Sequence, residues 1–149
     1  MKEISILKLK LVREGSIDYS DVVVNSSDKA TDIFTNMLQD EVQEVFAMIT
    51  LNTKNNITGY FEVHRGNLNS SLVSIAEIAK RALLNNAQKV IVAHNHPSGN
   101  VTPSREDVIV TKAVYHGLRT LQIELIDSLI IGNGIHKSLR SEIESEKKQ

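Results

Sequence analysis

The sequence predicts an α/β domain in which a central β-sheet is covered by helices. Two kinds of segment alternate along the chain. Some show the polar–apolar alternation or the apolar runs of β-strands, and the others show the 3.6-residue apolar periodicity of amphipathic helices. With 149 residues, 41% hydrophobic and 23% charged, the chain has the size and composition of one globular domain. We therefore expect residues 1–149 to form a single domain.

The first part of the chain predicts a strand, a helix and a hairpin. Leucines and lysines alternate in residues 4–12, which predicts a strand exposed on one face, and residues 22–24 are its expected partner. From Ser27 the apolar spacing i, i+3, i+4, i+7 predicts an amphipathic helix that belongs to the core. Residues 45–51 and 57–63 then predict two strands of a hairpin, separated by a polar turn.

The remaining elements complete the alternation of helices and strands. Ser74 opens a capping-box pattern followed by a helical stripe, and residues 123–131 predict a strand. Asn133-Gly134 favours a hairpin turn into a short last strand near His136. Residues 142–149 are highly charged, and we expect them to form a frayed tail.

Two histidines lie at the end of another predicted strand, the apolar run 90–93. Side chains at i and i+2 of an extended segment point the same way, so His94 and His96 should project together. Two prolines and a glycine in residues 97–103 then require the chain to turn. The pair of imidazoles therefore predicts a metal site at the end of this strand.

A helix start follows this turn and can supply a carboxylate. Ser104 resembles an N-cap, which would place Asp107 in the first helical turn. Two nitrogens and one carboxylate oxygen suit zinc and leave a fourth position for water. Spacing alone leaves alternatives open, because Ser-x-x-Asp is also a common capping box and Glu106 is a rival ligand.

Composition and charge exclude some classes of protein. The chain has no cysteine, which excludes disulfides, thiolate ligands and the zinc nucleobase deaminases with their Pro-Cys-x-x-Cys element. Its 17 basic residues are scattered and offset by 18 acidic ones, so no basic patch supports DNA as a partner. The N-terminus lacks a signal-peptide pattern and no apolar run has membrane-spanning length; we expect a cytoplasmic protein without membrane contact.

The motif His94-x-His96-Pro, followed by Ser104-x-x-Asp107, resembles the JAMM (MPN+) metalloprotease motif. The fuller string through residues 94–107, with Leu-Ile-Ile-Gly at 129–132, is similar to the bacterial RadC branch of that family. The resemblance implies a three-layer α-β-α sandwich with a central mixed sheet, the JAB/MPN (cytidine deaminase-like) fold.

The resemblance also implies a site and a reaction. Its ligands to one Zn²⁺ ion would be His94, His96 and Asp107, while Ser104 would stabilise a tetrahedral intermediate. Glu44, which precedes an aromatic and apolar run as in the family, would be the general base, with Glu41 and Glu62 as competitors. The expected activity is amide or isopeptide hydrolysis of a peptide or protein; the alternatives are a DNA-repair-associated module or a non-catalytic protein-binding module.

The chain departs from the RadC pattern at two places. Ser74-Ile-Ala-Glu stands where the family usually has His-Pro-Arg-Glu, and Asp127-Ser128 stands where it usually has Asp-His. These changes leave the expected ligands untouched and bear on substrate choice or on the surroundings of the metal. The histidines outside the motif are assigned no role: His64, His116 and His136.

Overall fold

The computed structural model describes residues 1–19, 27–66 and 73–149, and within these ranges the chain forms four helices and five strands. The helices are α1 (Ser27–Leu38), α2 (Ile75–Leu84), α3 (Arg105–Thr120) and α4 (Arg140–Lys147). The strands are β1 (Val45–Leu51), β2 (Ile57–Arg65), β3 (Lys89–Asn95), β4 (Glu124–Ile131) and β5 (His136–Ser138). No helix in this part of the chain is long and apolar enough to cross a bilayer.

The five strands form one mixed sheet in the order β2-β1-β3-β4-β5. Strands β3 and β4 are parallel and joined through α3, whereas the other neighbouring strands are antiparallel. The central strand β3 is apolar on both faces, and residues 90–93 are fully buried. The end of β3 is therefore held between two neighbours.

Helices cover both faces of this sheet. Successive residues of β1 enter opposite cores: Ala47 and Ile49 pack in the cluster that contains α1, and Phe46 and Met48 pack in the other. Buried residues of α2, α3 and α4 complete the second cluster, namely Ile78, Val114 and Ile143. The predicted three-layer α-β-α arrangement with a mixed sheet is confirmed.

The turn between β1 and β2 is built by asparagines, as the polar sequence predicted. The Asn52 side chain accepts hydrogen bonds from the backbone N–H groups of Lys54 and Asn56, both at 3.0 Å. Asn55 adopts the left-handed conformation with φ of 63°, which asparagine tolerates better than most residues. The hairpin predicted from residues 45–63 is confirmed, and β2 continues to Arg65.

The strand predicted at residues 4–12 is not formed. Residues 1–19 contain no regular element, and apolar side chains such as Ile6 and Leu7 are almost fully exposed. A strand is stable only when a neighbouring strand accepts its hydrogen bonds. The partner predicted at residues 22–24 lies outside the described residues, and β2 and β5 are the outer strands of the described sheet.

The frayed tail predicted at residues 142–149 is also wrong. Helix α4 runs from Arg140 to Lys147, with Ile143 fully buried and Glu146 8% exposed. Ile143 is the one apolar residue among the eight of this charged helix, so local periodicity missed it. Its docking depends on α3 and β4, which are distant in sequence.

Candidate metal centre

The two motif histidines lie at the end of the central strand. His94 is the second-to-last residue of β3 and His96 is the first residue beyond it. The backbone N–H of His96 still bonds to the carbonyl of Ile131 on β4 at 2.9 Å, so the chain remains attached to the sheet there. His94 is 5% exposed and stacks on Phe46 of β1, with ring centroids 6.3 Å apart and an interplanar angle of 8°.

The N-terminus of α3 brings Asp107 to these histidines. Ser104 Oγ accepts a hydrogen bond from the Asp107 N–H at 3.0 Å, and Asp107 Oδ2 accepts one from the Ser104 N–H at 2.8 Å. This pair is a complete capping box. The same Asp107 carboxylate also faces both imidazoles, so capping and metal ligation are compatible here.

The three side chains present their ligand atoms to one point. His94 Nε2 lies 3.1 Å from Asp107 Oδ1, His96 Nε2 lies 3.1 Å from Asp107 Oδ2, and the two Nε2 atoms are 3.2 Å apart. Ligands bound tetrahedrally to zinc at about 2.0–2.1 Å are separated by about 3.3–3.4 Å. His94, His96 and Asp107 could therefore hold a metal ion.

Backbone contacts prepare His96 for ligation. Its Nδ1 lies 2.7 Å from the carbonyl oxygen of Asn100, which can only accept a hydrogen bond. A proton on Nδ1 satisfies this carbonyl, and in the neutral ring it leaves the Nε2 lone pair for a metal. The loop that supplies Asn100 therefore favours the tautomer of neutral His96 that a metal ligand requires.

The charges at this site favour a cation. The pKa of His96 is raised because its ring bonds to Asp107, while burial opposes the shift and Asn100 and the charge of Glu44 assist it. Burial works to raise the pKa of Asp107, but the hydrogen bonds from His94 and His96 hold it far below its usual range. Asp107 is therefore ionised, and a positive charge beside it is stabilised.

Glu44 lies directly before β1, and its negative charge contributes to the raised pKa of His96. Its backbone carbonyl accepts a hydrogen bond from Gly66 N–H at 2.8 Å. The competing glutamates are engaged elsewhere: Arg65 pairs with Glu41 at 2.8 Å and with Glu62 at 2.6 Å on the protein surface. Of the three candidates for the general base, Glu44 is the one whose charge contributes to the raised pKa of His96.

Other sequence candidates lie outside the ligand group. Glu106 is exposed in the first turn of α3 and does not belong to the group formed by the described histidine and acidic residues. His116 bonds to Glu146 at 3.0 Å, and His64 is paired with Phe46 across the β1–β2 ladder. His136 begins β5 and is exposed.

Two residues that build the site had no assigned role in the sequence. Gly132, at the end of β4, lies under the motif loop: a Cβ there would lie 2.6 Å from the Gly99 carbonyl oxygen and 2.7 Å from Val101 Cγ1. Only glycine permits this close approach. Asn95, between the two histidines, is 2% exposed and bonds to backbone groups of Gln43 and of Val45, the first residue of β1. The sequence signal for Asn95 was a polar residue at the end of an otherwise apolar strand.

Comparison with known proteins decides the family. The model of the RadC-like JAB domain matches residues 24–144. The chain belongs to the RadC family. It is 42% identical over 118 residues to a UPF0758 protein of Trichodesmium erythraeum and 37% identical over 121 residues to one of Clostridium beijerinckii. These alignments cover 79% and 81% of the chain but 49% and 53% of the relatives, so the chain spans about half their length.

The two departures from the RadC pattern have structural roles in this family member. Ser74 caps α2 by accepting a hydrogen bond from Glu77 N–H at 3.2 Å. Ser128 on β4 accepts a buried hydrogen bond from Thr111 Oγ1 of α3 at 2.8 Å. Thr111 lies one helical turn after Asp107. The Ser128 contact therefore joins the sheet to the helix that carries a ligand.

Proposed function

We propose that this chain is a zinc-dependent hydrolase that cleaves amide or isopeptide bonds in a peptide or protein. The observation that carries this proposal is the convergence of the side chains of His94, His96 and Asp107, whose candidate ligand atoms lie 3.1–3.2 Å apart in each pair. Membership in a JAB-domain family supports the same reaction class.

The three ligand residues would hold the ion and leave one coordination position free. Zinc bound in this way would lower the pKa of a water to about 7 and polarise a substrate carbonyl. Both ends of the Asp107 carboxylate have defined partners, since Oδ2 also accepts the Ser104 N–H. This bond restrains the ligand and preserves its orientation.

Glu44 would act as the general base and then as the general acid. A carboxylate beside the ligands can accept a proton from the attacking water and later donate it to the leaving nitrogen. The contribution of Glu44 to the raised pKa of His96 supports this placement.

Ser104 would stabilise the negative charge that develops on the substrate carbonyl oxygen. Its Oγ accepts one hydrogen bond, from Asp107 N–H, and a hydroxyl has one proton to donate as well. The capping contact therefore leaves the donor available for the substrate oxygen.

Metal analysis with paired variants tests the ligand set. The wild-type protein should bind one zinc ion per chain, Asp107→Asn should lose it, and Glu106→Gln should retain it. Mass spectrometry of the native protein gives the stoichiometry. Equal zinc content in Asp107→Asn and wild type would refute this ligand set.

Cleavage assays on the zinc-loaded protein test the base. The probes are a proteome-derived peptide mixture and lysine-isopeptide-linked peptides, with new termini counted by mass spectrometry. Glu44→Gln should reduce cleavage by about 100-fold or more while retaining zinc, whereas the matched control Glu62→Gln should cleave like wild type. The proposal fails if the zinc-loaded wild type cleaves no probe of either class.

A further inference from the structure

Asn95 separates the two histidine ligands in the chain, and its side chain serves a different part of the structure. Because side chains alternate along an extended segment, Asn95 points to the face opposite to His94 and His96. It is 2% exposed, and its neighbour on one side is the segment that leads into β1. A buried amide of this kind is costly unless its hydrogen bonds are satisfied.

The Asn95 amide bonds to the backbone on both sides of Glu44. Its Oδ1 accepts a hydrogen bond from Val45 N–H at 2.7 Å. Its Nδ2 donates to the carbonyl oxygens of Gln43 at 2.9 Å and Glu41 at 3.3 Å. One side chain therefore clamps the residues that precede and follow Glu44.

These contacts require an asparagine. The site needs an acceptor for one N–H group and donors for two carbonyl groups, and a short carboxamide supplies both. An aspartate would place a carboxylate oxygen against the carbonyls of Gln43 and Glu41, and an aliphatic residue would leave buried backbone groups without partners. The Glu44 carbonyl itself is held separately by Gly66 N–H at 2.8 Å.

We propose that Asn95 is a positioning residue that fixes Glu44 relative to the ligands His94, His96 and Asp107. His94, Asn95 and His96 are consecutive residues at the end of β3. A displacement of this end would therefore move the two histidine ligands and, through Asn95, the backbone around Glu44. The functional meaning of this coupling rests on the proposed role of Glu44, but the placement itself can be measured without any substrate.

The test uses Co²⁺ as a paramagnetic probe in the ligand site, read by NMR. Pseudocontact shifts at the backbone amides of Glu44 and Val45 report their positions relative to the ion. In Asn95→Asp, these shifts should change and the Val45 amide should exchange with solvent about tenfold faster or more, with Co²⁺ still bound. Asn85→Asp is the matched control, since Asn85 Nδ2 donates to Thr50 Oγ1 at 2.9 Å near the other end of β1.

A measurement on the wild type covers the case in which Asn95→Asp does not fold. The side-chain amide protons of Asn95 and the Val45 N–H should both be protected from solvent exchange. Exchange of the Asn95 protons at the rate of a free carboxamide would overturn the proposal, as would unchanged shifts at Glu44 in a folded Asn95→Asp protein.

The outcomes also separate this proposal from the hydrolase proposal. If the Glu44 shifts respond to Asn95→Asp while the wild type cleaves no probe, the positioning role stands and the hydrolase proposal fails. If cleavage is observed, Asn95→Asp should lower kcat by about tenfold or more with little change in KM. Its effect should disappear in a Glu44→Gln background, because the clamp acts through Glu44.

Discussion

At the scale of single residues, Asp107 satisfies two requirements with one carboxylate. Oδ2 accepts the Ser104 N–H and lies 3.1 Å from His96, while Oδ1 lies 3.1 Å from His94. A Ser-x-x-Asp pattern therefore could not distinguish a helix cap from a metal ligand. Both functions use a short side chain in the first turn of a helix, and here one conformation is compatible with both.

Asp127 is a second carboxylate with an unusual environment. It is 1% exposed and accepts hydrogen bonds from the Ser138 hydroxyl at 2.7–2.8 Å and from the Ser128 N–H at 2.7 Å. Burial raises its pKa above the ordinary value of 3.8, while these hydrogen bonds and the charges of Arg140 and His136 oppose the shift. Folding therefore favours the protonated form of Asp127.

The charge of Asp127 should reduce stability at neutral pH. A raised carboxyl pKa contributes stability that is present below pH 3.8 and is lost as the pH rises through the raised value. Asp127→Asn should therefore be at least as stable as wild type at pH 7, and its relative advantage should shrink toward pH 3.8. Urea unfolding at several pH values measures this difference.

The control for this prediction is Asp127→Ala, which leaves the buried Ser128 N–H and Ser138 hydroxyl without their partner. Relative to Asp127→Asn, it should cost about 1–3 kcal/mol at every pH. If Asp127→Asn were as unstable as Asp127→Ala at pH 7, the negative charge of Asp127 would itself be stabilising.

At the scale of elements, α4 is attached by one apolar residue and one charged cluster. Ile143 is fully buried with residues of α2 and α3. Glu146 lies 3.3 Å from Lys112 and 3.0 Å from His116, both on α3. Glu146 is buried, but its partners Lys112 and His116 are 36% and 55% exposed. Ion pairs with solvent-exposed partners contribute little to stability, so Ile143 should supply most of the attachment.

Ile143→Ala should destabilise the protein by about 2–5 kcal/mol, because it removes buried carbons and leaves a cavity. The matched control is Ile135→Ala, in which the isoleucine is 53% exposed; it should change stability by about 0.5 kcal/mol or less. Urea unfolding of both variants makes the comparison. Equal effects would show that α4 is not docked as described.

At the scale of the whole molecule, the folded core begins after the N-terminal segment. Residues 1–18 are exposed, and Tyr19 is the first described residue that packs against a core cluster. The segment nevertheless carries large apolar side chains, including Ile4, Ile6, Leu7 and Leu9. Their exposure means that this segment adds little burial to the folded chain.

Deletion of residues 1–18 should therefore change the free energy of unfolding by less than about 1 kcal/mol. Tyr19 is retained because it contacts the cluster on the α1 side of the sheet. Thermal and urea unfolding of the shortened protein test this expectation. A loss of several kcal/mol would mean that the segment packs onto the domain in solution.

The sequence by itself determined the features that depend on neighbouring residues. Alternation and apolar stripes located β1 to β4, α1 and α2, because each pattern spans only a few turns or strand residues. Capping chemistry located the starts of α2 and α3 at Ser74 and Ser104. The candidate ligands followed from the motif, since His and Asp side chains are among those that bind metal ions such as zinc.

The tertiary structure decided the features that depend on residues far apart in the chain. Whether residues 4–12 pair and whether α4 docks depends on the availability of a neighbouring surface, which no local pattern contains. The bond between Asn95 and Val45 joins residues 50 positions apart. The fit of Gly132 beneath Gly99 likewise requires two loops to meet. Periodicity reports local geometry, whereas the contacts between Asn95 and the backbone on either side of Glu44 depend on long-range hydrogen bonds.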